Sequence, residues 1–115
     1  MKIIQEGIKI LYEITYKKQA SKDLETIKRD KSLYKDLLMI EKALEENPFY
    51  PNLPQSRIPK NGIKMKNTKI DTYHVKLTSH DRVFYRIDEY NKTVIIDNIE
   101  YDENVKILQL LGHNL

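Results

Sequence analysis

YHVKLTSHDRVFYRID, residues 73–88, is the stretch on which the fold of this chain turns. Tyr73, Val75 and Leu77 alternate with His74, Lys76 and Thr78; after Ser79-His80-Asp81 the alternation resumes, with Val83, Tyr85 and Ile87 set against Arg82, Phe84 and Arg86. Successive side chains of a strand point to opposite faces, so a period of two on either side of a short polar segment predicts a β-hairpin. One face is apolar, and the other carries His74, Lys76, Arg82 and Arg86.

Outward from the hairpin the pattern stays β on the C-terminal side. Glu89-Tyr90-Asn91-Lys92 supplies a second turn, and Val94-Ile95-Ile96 begins a strand that is apolar on both sides, as expected for one inside a sheet. Residues 102–111 predict a short helix, with Val105, Leu108 and Leu111 on one stripe and Gly112 as its stop. On the N-terminal side, Pro48, Pro51, Pro54 and Pro59 remove backbone donors and mark a loop. Before that loop, Ala20, Leu24 and Ile27, then Leu33, Leu37, Ile40 and Leu44, recur at helical spacing around the polar break at 29–32. Ile8, Ile10, Tyr12, Ile14 and Tyr16 alternate with Lys9, Leu11, Glu13 and Thr15 and predict a first strand. The reading is an α+β fold of order β-α-α-β-β-β: two N-terminal helices packed on a twisted antiparallel β-sheet, with a short C-terminal helix.

At 115 residues the chain has room for one domain, read as 1–115, with no repeat or low-complexity tract. A mean hydropathy of -0.63 and the lack of any apolar run near the roughly 18 residues of a spanning helix point away from the membrane. The opening MKIIQEGIKILYEITY alternates where a signal peptide has an unbroken apolar core, and there is no cysteine, so a cytoplasmic protein without disulfides or Cys-ligated zinc is expected. The formal net charge is +3. Its distribution is uneven: residues 57–86 hold eight Lys/Arg against two Asp/Glu, whereas residues 87–115 hold two against six. A positive field concentrated over some thirty residues suggests an anionic partner, of which phosphate backbones are the commonest.

GxxxxGK[ST], GxGxxG and HExxH are all absent, and with three glycines the chain offers no phosphate-cradling loop, so neither a cofactor nor a metal is expected. What it carries is a set of cations beside histidine and tyrosine, the groups needed to handle a phosphodiester. RNA cleavage requires removal of the 2′-hydroxyl proton, stabilisation of the charge gathering on phosphorus, and protonation of the departing 5′-oxygen. Arg82 offers a planar fork for two phosphate oxygens, with a solvated or ion-paired strand arginine as the alternative. His74 and Lys76 share a face about 7 Å apart by strand rise and can line the same groove, or simply form a polar sheet face. His80, in the turn, is a candidate acid or base, with a solvated turn residue as the alternative. Arg86 extends the track of Arg82, or closes a cross-strand ion pair. Lys60, Lys64, Lys66 and Lys69 make a basic approach suited to RNA, and Tyr101, just after the last strand, is a candidate for stacking or proton donation. Tyr73 and Tyr85 fall in the apolar alternation and are expected in the core.

The hairpin, followed by TVIIDNIEYDEN at 93–104, resembles the RelE/ParE superfamily of toxins from type II toxin-antitoxin systems, the RelE, YoeB and HigB-like branches above all. The likeness covers residues 8–105. It rests chiefly on Tyr73, His74 and Lys76, the turn, and Arg82-Val83-Phe84-Tyr85, where the family shows an aromatic residue, basic alternate positions, then Arg, two apolar residues and Tyr. The resemblance implies a toxin acting as a ribosome-dependent mRNA endonuclease that inhibits translation. Arg82 then looks like the family's phosphate-binding arginine, Lys76 like its strand lysine, and His74 stands where another basic residue is common. It also implies a cognate antitoxin as partner, besides the ribosome and mRNA. There are departures: Ile99-Glu100-Tyr101-Asp102 has no His or Arg, and no acidic residue occurs from Asn47 to Ile70, where the YoeB-like branch places a glutamate base. If the chain cleaves RNA, Tyr101 and either His74 or His80 cover the proton transfers. The competing readings are a ParE-like inhibitor of DNA gyrase and a catalytically inactive RNA-binding homologue.

Overall fold

The apolar alternation from Tyr73 to Ile87 comes to lie against two helices, which cover one face of a four-stranded sheet. The computed structural model describes residues 10–100. Strand β1 (Glu13–Tyr16) leads into helices α1 (Lys18–Ile27) and α2 (Lys31–Glu46), and a short 3-10 turn at Gln55–Arg57 interrupts the proline-rich loop. Strands β2 (Tyr73–Lys76), β3 (Arg82–Asp88) and β4 (Thr93–Glu100) follow. The expected C-terminal helix over 102–111 lies outside the described residues. No described helix is long and apolar enough to cross a membrane.

Each helix forms where its apolar stripe is bounded by end signals. The Asp30 carboxylate accepts a hydrogen bond from the Leu33 N–H at 3.1 Å, an N-cap that starts α2. Its end at Asn47 precedes Pro48, which cannot continue the ladder. The stripe formed by Leu33, Leu37, Ile40 and Leu44 meets Val75, Leu77, Val83, Tyr85, Val94 and Ile96 in one buried cluster, to which α1 adds Ala20 and Ile27. Truncating one of the large aliphatic members to Ala costs about 2–5 kcal/mol in such a setting. Tyr73 and Tyr85 belong to this core: their rings stack at 5.6 Å, and the Tyr85 hydroxyl donates to the Pro48 carbonyl at 2.8 Å. Burial and the neighbouring Tyr73 push the Tyr85 phenol above its ordinary value.

The strand order is β1-β4-β3-β2, and the sheet is mixed: β2, β3 and β4 form the expected antiparallel meander, but β1 joins parallel to β4. The chain enters β2 at the edge far from β1 and in the same sense. Two reversals later β4 runs in that sense as well and takes the place beside β1. β4 is thus an interior strand, which accounts for its apolar run on both sides. β1 is shorter than the alternation from Ile8 suggests. The Tyr12 N–H donates to the Glu45 carbonyl at the end of α2, and the ladder to β4 starts only at Glu13, leaving Ile10 and Leu11 exposed.

Between β3 and β4 the register shifts: Phe84 faces Asn98, but Tyr85 faces Ile96. This bulge puts Ile96 and Ile99 both in the core and Asp97 and Asn98 on the opposite side. A buried carboxylate on α1, Asp23, accepts the Ile99 N–H at 3.1 Å and so ties the helix to the strand just past the shift. Replacing Asp23 with Ala is expected to lower unfolding free energy by about 1–3 kcal/mol, the cost of a buried donor left without its acceptor, with Asp23→Asn less harmful. Urea denaturation midpoints of the two variants check this.

Candidate nucleic-acid interface on the open sheet face

With one face of the sheet covered by helices, the other presents His74 and Lys76 from β2, Arg82, Phe84 and Arg86 from β3, and Ile95, Asp97, Asn98 and Glu100 from β4. No described helix lies over it. The hairpin turn is closed by its own side chains: the Thr78 hydroxyl donates to the Asp81 carboxylate at 2.9 Å and accepts the Asp81 N–H at 3.0 Å. This closure sets the register in which Lys76 faces Arg82 and His74 faces Phe84.

Two like charges directly opposite each other on neighbouring strands repel, at a cost of about 0.2–1 kcal/mol. Arg82 has Glu100 opposite on its other side, so it stands between a lysine and a carboxylate at the end of the sheet, and its side chain is exposed. His74 is half-buried, with its ring stacked on Phe84 at 5.8 Å. Burial, and then repulsion by Arg82, lower the imidazole below its ordinary 6.5, while the Gly62 backbone and Glu100 oppose the shift without cancelling it. The ring is therefore neutral at pH 7. Its Nδ1 is buried and lacks a hydrogen-bond partner among the described residues.

The other residues singled out in the sequence are placed differently. Arg86 shares the face, but its guanidinium is taken by Asp97 in a two-pronged bond, Nε at 2.8 Å and Nη2 at 2.9 Å. The cross-strand pair is the arrangement adopted, made by the bulge that turns Asp97 outward. His80 sits at the exposed tip of the turn, beyond the last ladder pair and two pairs from His74. Lys60, Lys64, Lys66 and Lys69 are exposed on the loop before β2, where Lys64 pairs with Asp71 at 3.5 Å. Arg57, part of the basic excess, is bound to Asp36 and the Leu77 carbonyl, so it serves the fold. Tyr101 lies outside the described residues. Among the described residues, Lys60, Lys66, Lys69, Lys76 and Arg82 enter no ion pair, and no group of three or more His, Cys, Asp and Glu stands ready to hold a metal.

Reading the sequence missed the part that two members of this face play. Phe84 appears there in the alternation with Arg82 and Arg86 and in the family motif, without a role, yet it is the platform on which His74 rests. Glu100 appears only as part of a segment lacking His or Arg, yet it stands opposite Arg82 and its charge acts on His74. Only the register of β3 on β4 reveals that, and periodicity carries no register.

His74 has a measurable signature. Its unfolded imidazole binds a proton near pH 6.5, and the folded one only at lower pH, so between those values the unfolded state holds a proton that the native state lacks. Stability contributed by the neutral ring is present above 6.5 and lost as pH falls through that window. His74→Gln is expected to flatten the decline of the urea midpoint between about pH 7 and pH 5 relative to wild type; equal slopes would reject the assignment.

Comparison by sequence finds no protein family and no curated protein that matches the chain. Solved structures do match it. The RelE-RelB complex of the archaeon Pyrococcus horikoshii aligns with 24% identity over 78% of this chain and 93% of that one, with a TM-score of 0.59. The YoeB dimer of Staphylococcus aureus aligns with 20% identity over 79% and 97%, with a TM-score of 0.62. The RelBE toxin-antitoxin complex of E. coli aligns with 16% identity over 79% and 96%, at 0.60. The helices, the mixed sheet and the hairpin that holds His74, Lys76 and Arg82 are thus those of a known architecture, and the chain has the RelE-like fold of the RelE and YoeB toxins.

Proposed function

We propose that this chain is the toxin of a type II toxin-antitoxin system and acts as a ribosome-dependent mRNA endonuclease. The observation that carries the reading is the like-charge pair Lys76 and Arg82 on the open face, beside a histidine kept neutral. Glu100 stands opposite Arg82 without forming an ion pair among the described residues, so the two cations give up stability unless a more closely held anion joins them, and a phosphodiester supplies that anion. The likeness to RelE and YoeB structures supports the toxin assignment at the level of fold.

In this reading the Arg82 guanidinium grips the non-bridging oxygens of the scissile phosphate, and the Lys76 ammonium adds to the charge that stabilises the phosphorane. Neutral His74 takes the 2′-hydroxyl proton, a task for which a lowered pKa suits an imidazole that must be unprotonated at pH 7. The 2′-oxygen attacks phosphorus, the bond to the 5′-oxygen breaks, and the products are a 2′,3′-cyclic phosphate and a 5′-hydroxyl. Tyr101 is the candidate to protonate the departing 5′-oxygen. Arg86, held by Asp97, orders the face and does not touch the phosphate, and His80 has no part in the reaction. Two of the matched structures hold an antitoxin with its toxin, which supports an antitoxin partner for this chain, with an acidic segment laid over the basic hairpin.

Induction of the chain in a bacterial host, with mapping of mRNA 5′ ends, is expected to show cuts in translated message. Arg82→Ala is expected to reduce cleavage about 100-fold or more, in line with the loss of a donor to a transition-state oxyanion. Intact message on ribosomes programmed with purified protein sinks the endonuclease, and inhibition of gyrase supercoiling in that case moves the chain to the ParE-like reading. A second expectation is that an acidic protein encoded beside this chain co-purifies with it, and that charge reversal at Lys76 and Arg82 loosens the complex.

A further inference from the structure

Beyond the outer edge of β2 the chain builds something the open face does not require. Gly62, at φ +91°, turns the backbone so that residues 63–65 run antiparallel to β2: the His74 N–H donates to the Ile63 carbonyl and the Met65 N–H to the Thr72 carbonyl, both at 2.8 Å. Asn67, at φ 62°, reverses this second hairpin. Between the hairpin and the start of the loop after α2 lies a cavity of about 840 Å³, a size common for small-ligand sites. Phe49, Tyr50 and Tyr73 line it together with Lys64, Lys66 and Asn67.

Tyr50 is 83% exposed, and the backbone that carries it is fixed. The Asn47 side-chain carbonyl accepts the N–H groups of Phe49 and Tyr50 at 3.2 and 3.1 Å, and the next residue, Pro51, is rigid. The cavity is continuous in its lining with a smaller one of about 170 Å³ that reaches His74: Asn61, Gly62, Lys64, Met65 and Lys66 border both. Lys64 and Lys66 thus border both the cavity at His74 and the one at Tyr50. Asp71 is the one acidic residue of the lining, and its exposed pair with Lys64 is of the weak kind that a phosphate displaces.

The geometry points to a nucleotide subsite in this cavity: an unpaired RNA base beyond the phosphate gripped on the sheet face stacks on Tyr50, with Lys64 and Lys66 on its own phosphate and the Asn61 and Asn67 amides within the same lining. This rests on the RNA reading of the open face. A flat exposed ring beside cations and neutral amides matches a base with its phosphate, since stacking accepts any base and the amides can meet its edge. An acidic peptide would use the lysines and leave the ring idle.

The test is binding of a hexanucleotide of RNA made uncleavable by 2′-O-methylation, followed by fluorescence polarisation, to wild type, Tyr50→Ala, Tyr50→Phe and Arg82→Ala. Tyr50→Ala is expected to weaken binding about tenfold, with Tyr50→Phe near wild type because the stacking surface remains. Arg82→Ala weakens it independently. If Tyr50→Ala binds like wild type while Arg82→Ala is impaired, the subsite is wrong and the open-face reading stands. Equal losses in Tyr50→Ala and Tyr50→Phe reject stacking. Wild type without affinity for the hexanucleotide overturns the subsite and leaves the open-face reading to the ribosome assay, and loss of a co-purifying acidic protein in Tyr50→Ala with RNA binding intact assigns the cavity to a protein partner.

Discussion

Burial of one face of a four-stranded sheet under two helices is the constraint from which the rest of this molecule follows. The core is a single layer of side chains between sheet and helices, and it must hold every large apolar residue that the strands point inward. Because strand side chains alternate, fixing Val75, Leu77, Val83 and Tyr85 inside obliges His74, Lys76, Arg82 and Arg86 to face out together. A slip of one residue would exchange the two sets, burying four cations or titratable groups. Hydrophobic burial thus sets the chemistry of the open face, although none of the residues on that face belongs to the core cluster.

Within the basic segment the cations divide by what surrounds them. Arg57 and Arg86 are held by Asp36 and Asp97 and act as structural ties. Lys76 and Arg82 stand against each other, with Glu100 beside Arg82. Residues that satisfy one another stabilise a fold, and residues that do not are available to a ligand. Net charge did not make this distinction, since the segment's excess of six counts both kinds. The neutral state of His74 belongs to the same economy: its burial against Phe84 and its position near Arg82 both disfavour a third positive charge.

The hairpin at 73–88 was legible because its pattern is local: a period of two, interrupted once by a turn whose Thr78 and Asp81 close on each other. The helices were legible for the same reason, as were the interior place of β4 and the core positions of Tyr73 and Tyr85. β1 was read in kind but not in length or partner. Whether a strand pairs parallel or antiparallel depends on where distant segments enter the sheet, and Tyr12 leaves the alternation for a bond to Glu45 that its neighbours in sequence do not announce.

The sequence by itself determined the order of elements, the composition of the core and the grouping of His74, Lys76 and Arg82, because each follows from the spacing of side chains along a strand or helix. Tertiary structure decided the rest. The bulge between β3 and β4 turned Asp97 toward Arg86 and brought Glu100 opposite Arg82, and a loop with no periodicity folded back at Gly62 to line an open cleft beside Tyr50. These depend on register and on positive-φ turns, which are set by contacts between segments far apart in the chain, and a pattern read along one segment holds no information about them.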